Sequence, residues 1–204
     1  MSFERSVFIN CPFDDNYRHL LQPLLFSILY LGFEPKIAST ISSGNIRVQE
    51  IKKLIKDSQY SIHDISRCKP LFAGDMPRFN MPFELGLDIG CQTYGSRKLN
   101  DKKCLILETE KYHYQKVISD ISGQDIKEHD DNPQKLISQV REWFIGLLNM
   151  RLPGVEMIFA QYNDFTFDII QDLAVEGFSQ KERDSLSTTE FIMLAKEWIL
   201  NIDI

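Results

Sequence analysis

The chain reads as an α/β protein: a flavodoxin-like, doubly wound parallel sheet of about five strands with a C-terminal helical extension. Three observations predict this. Apolar runs of strand length alternate with helix-length apolar stripes up to about residue 150, clusters of turn residues separate them, and no convincing strand follows Pro153-Gly154. The natural division is an α/β domain over residues 1–150 and a helical extension over 151–204.

Ser6 to Asn10 reads as a short buried strand, and the turn-like Cys11-Pro12-Phe13-Asp14-Asp15 follows it. An apolar stripe through Leu20, Leu21, Leu24, Leu25, Ile28 and Leu29 predicts the first helix, which Pro23 kinks or restarts and Gly32 stops. Phe33 to Ala38 is the second strand, and Ser39 to Asn45 a polar loop. Ile51, Leu54 and Ile55 mark one face of a second helix ending near Asp57, and Tyr60 to Ile65 is the third strand. After a long loop from Ser66 to Phe79, Pro82 is expected at the first position of a helix through Phe83, Leu87 and Gly90, with Glu84 in its first turn. Lys103 to Glu108 is the fourth strand, and Asp125 to Glu128 a short fifth. Asn132-Pro133 caps a helix striped by Ile137, Val140, Phe144, Leu147 and Leu148. The remaining residues hold an aromatic-rich helix to about Leu173 and a last helix opened by the capping box Ser187-Thr188-Thr189-Glu190. Some 50 residues bury little surface alone, so this tail is expected to pack on the first domain or on a second subunit.

Composition removes several classes of function. With 23 Lys and Arg against 29 Asp and Glu, the net charge is −6, so direct nucleic-acid binding is not expected. The chain has neither an apolar run long enough to span a bilayer nor a signal-like start, so no membrane association and a cytoplasmic location are expected. The four cysteines stand far apart and read as reduced thiols, and the histidines show no metal-ligand spacing. Cys11 reads as a buried thiol rather than a nucleophile, His63 as a satisfied strand histidine, and Glu128-His129-Asp130-Asp131 as a solvated loop.

In a doubly wound sheet of order 2-1-3-4-5, ligands bind beyond the C-terminal strand ends, between strands one and three. Three polar clusters fall there: Asn10, Phe13 and Asp14 after strand one, Asp64, Ser66 and Arg67 after strand three, and Arg78, Asn80 and Glu84 around the next helix start. A helix start suits a phosphate or oxyanion, yet the same dipole stabilises an acidic side chain that does no chemistry. A carboxylate beside a ribose can stabilise or attack the oxocarbenium-like centre formed when an N-glycosidic bond breaks. Asp64 or Asn10 would then hold ribose hydroxyls, and Arg67 or Arg78 a phosphate.

FINCPFDDNY after strand one, YSIHDIS at strand three and PRFNMPFELGLDIG into the helix resemble the bacterial TIR-like branch of the superfamily that also contains nucleoside deoxyribosyltransferases. The resemblance runs from residue 5 to about 129. It implies a glutamate at Glu84 that cleaves NAD or a related nucleotide, or exchanges bases on nucleosides, with no cofactor required. It also implies a role in antiphage defence. Asn10-Cys11 stands where TIR domains carry a Ser-His or Ser-Tyr pair, and the loop before the glutamate lacks tryptophan. The alternative expectation is a non-catalytic signalling module that binds a nucleotide or a partner effector protein and self-associates through the helical tail.

Overall fold

The computed structural model describes residues 2–38, 46–70, 72, 74–116 and 118–202; the predicted loop Ser39 to Asn45 lies outside the described residues. Five strands, β1 (Ser6–Asn10), β2 (Glu34–Ile37), β3 (Tyr60–Asp64), β4 (Lys103–Glu108) and β5 (Lys127–Glu128), form one sheet in the order β2-β1-β3-β4-β5. Every neighbouring pair is parallel. The predicted order and the reversal between β1 and β3 are therefore present, with Asn10 and His63 opposite one another in register.

Helices cover both faces. α1 (Arg18–Tyr30) and α5 (Pro133–Leu148) pack in the large core that also holds Val7, Ile9, Ile62, Leu105 and Leu107. α2 (Arg47–Lys56) and α3 (Asn80–Tyr94) contribute to two smaller clusters, around Phe8 and around Ile106. A four-residue α4 (Arg97–Asn100) leads into β4. α1 runs unbroken through Pro23. It closes in a Schellman turn at Gly32, whose φ of +82° a side chain would resist, with the Phe33 N–H on the Ile28 carbonyl at 3.0 Å. The Asn132 side chain caps α5 by accepting from the Lys135 N–H at 2.9 Å.

The tail comprises α6 (Val155–Val175), the short α7 (Gln180–Asp184) and α8 (Thr188–Asn201). Both α7 and α8 open on capping boxes, Ser179 with Glu182 and Ser187 with Glu190; only the second was expected from sequence. α6 and α8 pack against α1, so Ile158, Phe165, Phe191, Ile192 and Ala195 belong to the same core as the sheet. Phe26 stacks on Phe165 with ring centroids 5.3 Å apart and meets Trp198 at 5.9 Å. Arg18 binds the carbonyls of Asp184 and Leu186, and Lys196 pairs with Glu34 at 2.7 Å. Of the tail aromatics, Phe167 and Phe178 stay exposed.

Candidate functional site

α3 begins at Asn80, two residues earlier than expected, so Pro82 is its third residue and Glu84 its fifth, just past the first turn. Proline is tolerated anywhere in a first turn, where its missing N–H has no intrahelical partner to lose, and so it does not fix the start. The Phe83 N–H is already taken by the Phe79 carbonyl at 3.0 Å. The free donors of the helix start therefore lie upstream of Glu84.

Met81, Glu84, Leu85 and Asp88 recur at i, i+3, i+4 and i+7 and form the buried face of α3. Asn10, only 1% exposed, donates through Nδ2 to the Met81 carbonyl at 2.9 Å and lies 2.8 Å from Nδ1 of His63. His63 in turn contacts Asp88 from Nε2 at 3.0 Å. The Asn10 and His63 side chains thus reach α3 at Met81 and at Asp88, and Glu84 lies between those two contacts on the same face. Glu84 is 3% exposed, and its Oε2 has no hydrogen-bond partner among the described residues. Burial pushes this carboxyl up to about 7, while Arg47 at the start of α2 pulls it down. Stabilisation by the helix dipole would lower it, so desolvation governs this group.

Asp64 is saturated. Its Oδ1 accepts the Ser66 N–H at 2.9 Å; its Oδ2 accepts from the Tyr17 hydroxyl and meets Nε2 of His129 at 2.9 Å. Nδ1 of His129 accepts the Asp131 N–H at 3.2 Å, which leaves the ring proton on Nε2, shared with Ser66 Oγ at 3.1 Å. Both acidic and hydroxyl partners meet the same nitrogen, so this is a cage and not a Ser-His-Asp relay. Burial raises the Asp64 carboxyl, but the hydrogen bonds from His129, Ser66 and Tyr17 outweigh it and hold it below the usual value. His129 is fully buried, which corrects its reading as part of a solvated loop; Asp130 and Asp131 are exposed.

Asp14 gathers both arginines. Arg67 Nη2 donates to its Oδ1 at 2.7 Å, and Arg78 Nη1 lies 2.9 Å from its Oδ2. Arg67 is buried, whereas the Arg78 side chain is 49% exposed. Asn80 is exposed at the helix start. Phe13 and Asp14 border a cavity of about 240 Å³ between the start of α1 and the α7–α8 junction, which Asn10, Asp64 and Glu84 do not line. A second cavity, about 200 Å³, lies past β4 between Glu108, Tyr112 and Tyr114. The Cys11 thiol is buried and pushed well up, first by desolvation and then by Asp64, Glu84 and Asp14. All three carboxylates therefore act on one point after β1, although no nucleophilic thiolate forms there.

The residues that sequence reasoning missed are Tyr17, His129, Asp88, Lys102 and Arg47. Lys102 is buried beside Asp88, its Nζ 3.2 Å from Oδ1, and is held by the carbonyls of Ile55 and Ser58. Among the described residues, His63, Asp88 and Cys104 bring donor atoms within 4.8 Å of one another. Lys102 already supplies the cation at Asp88, so this set does not fit a metal ion. Protein-family models, curated proteins and solved structures were all compared with the chain, and none matches.

Proposed function

We propose that the protein processes nucleotides as an N-glycosidase-type enzyme acting on NAD or a related nucleotide or nucleoside, with Glu84 at the ribose. The observation that carries this reading is the buried Glu84 carboxyl, unpartnered at Oε2 and raised to about 7, on the helix face turned toward the β1–β3 switch point. In its ionised form it stabilises or attacks the cationic sugar centre as the base departs. Asn10 takes a ribose hydroxyl, and the exposed Arg78 and Asn80 meet the phosphate, while Phe13 faces the separate cavity beside the α7–α8 junction. Asp64, Ser66 and Arg67 act from behind: Asp64 and Ser66 hold the end of β3, and Arg67 holds Asp14. The chemistry needs no cofactor, and a role in antiphage defence follows from the resemblance of the sequence motifs. No described helix is long and apolar enough to cross a membrane.

The test is to incubate the full chain and Glu84→Gln with NAD and a panel of nucleosides and to separate the products chromatographically. Release of nicotinamide or another free base by the wild type and its loss in the variant are expected; no release from any substrate by the assembled protein overturns the reading.

The saturation of Asp64 and the pairing of Arg67 with Asp14 favour a second reading, a non-catalytic module that binds a nucleotide or a partner effector and self-associates through its helical tail. It expects ligand-dependent thermal stabilisation or oligomerisation that survives Glu84→Gln.

A further inference from the structure

Asn10 has two amide hydrogens and both are committed. One goes to the Met81 carbonyl at 2.9 Å, which accepts only from a donor and so fixes which amide atom is nitrogen. The other faces His63 Nδ1 at 2.8 Å, which must then be the unprotonated ring nitrogen. The ring proton consequently sits on Nε2 and points at Asp88 Oδ2, 3.0 Å away. Burial raises the Asp88 carboxyl, but the His63 bond and then the Lys102 ammonium, itself fixed by two backbone carbonyls, outweigh it and hold the group below its usual value, so that it accepts that proton. Each link is buried; Asp88 Oδ1 makes no hydrogen bond but meets the Lys102 ammonium as an ion pair, whereas Asn10 Oδ1 has no partner among the described residues.

We infer that His63, Asp88 and Lys102 form a positioning relay that locks the Asn10 amide with Oδ1 as the acceptor offered to the ligand. The inference rests on the proposed role of Asn10 as a ligand contact and deepens it: the ligand group received there must be a hydrogen-bond donor, a hydroxyl or an N–H. Rotating the amide would set Oδ1 against the Met81 carbonyl and the His63 lone pair together. Neither contact is tolerable without protonating His63 or moving α3.

Long-range proton–nitrogen spectra of the histidine rings in the ¹⁵N-labelled full chain test this directly. Wild-type His63 is expected as the neutral tautomer protonated on Nε2. Asn10→Asp replaces the amide donor by an oxygen, so His63 is expected to carry protons on both nitrogens; Asp88→Asn is expected to let the Nδ1-protonated form appear. A wild-type ring protonated on Nδ1, or an unchanged ring in both variants, overturns the relay. Should Asn10→Asp fail to fold, the wild-type spectrum and Asp88→Asn still decide. In parallel, adenosine and its 2′- and 3′-deoxy analogues are titrated calorimetrically into the wild type and Asn10→Ala. Loss of at least one hydroxyl should weaken wild-type binding about tenfold or more, a penalty that largely disappears in the variant. If no nucleoside or NAD binds at all, the proposed function fails while the ring spectra still judge the relay. Equal binding of all three nucleosides to the wild type removes the ribose hydroxyl as the donor.

Discussion

A carboxyl held at about 7 by burial keeps its proton more tightly in the folded chain than in the unfolded one. The stability linked to Glu84 is therefore fully present below the unfolded value near 4.5, declines as pH rises, and is lost once pH has passed through about 7. Glu84→Gln removes the charge without emptying the site, so it should raise stability at pH 8 by up to about 3 kcal/mol and do almost nothing at pH 4. Urea unfolding of both proteins at the two pH values checks this; equal stability at pH 8 would mean that the carboxyl is better solvated than its burial implies. If the ionised form carries the reaction, turnover rises over the same interval in which stability falls. The sequence identified Glu84 but not what surrounds it. ELG on a helix announces a carboxylate, whereas its desolvation depends on the fit of α3 to β1 and β3, which no local pattern encodes.

The strand ends are joined by single side chains. His129 follows the two-residue β5, yet it supplies the proton that Asp64 at the end of β3 requires. Replacing His129 with alanine leaves a buried carboxylate short of a donor, and a cost of about 3–5 kcal/mol is expected by urea denaturation. A cost below about 1 kcal/mol would show that water can take its place. β1 and β4 were legible with their observed bounds because continuous apolar runs flanked by turns signal buried parallel strands. His129 was not, because a histidine inside an acidic run looks solvated until the pairing of β4 with β5 carries it against a residue 65 positions earlier. α3 was misplaced at its start for the related reason that proline marks a first turn without saying which residue of it.

At the level of the whole molecule, the tail and the sheet share one apolar interior. α1 is buried almost all round, through Leu20, Leu21, Leu24, Leu25, Phe26, Ile28 and Leu29, because the sheet lies on one side and α6 with α8 on the other. That was readable in principle: a helix apolar on more than one stripe needs more than one partner. Which aromatics of α6 would turn inward was not readable, since Phe159, Tyr162, Phe165 and Phe167 span more than one face. Phe165→Ala should cost about 3–5 kcal/mol and Phe167→Ala less than about 0.5, compared by thermal or urea unfolding. Similar costs for the two would mean that Phe167 is covered in solution by another surface.

The buried trio of His63, Asp88 and Lys102 has an evolutionary consequence. Loss of Asp88 strands an ammonium, loss of Lys102 strands a carboxylate, and loss of His63 leaves both Asn10 and Asp88 short of a partner. Each one-step path away from the trio crosses a stability valley, so descendants of this chain retain all three residues or exchange them together, and the three columns should covary as a unit even where Glu84 has been lost.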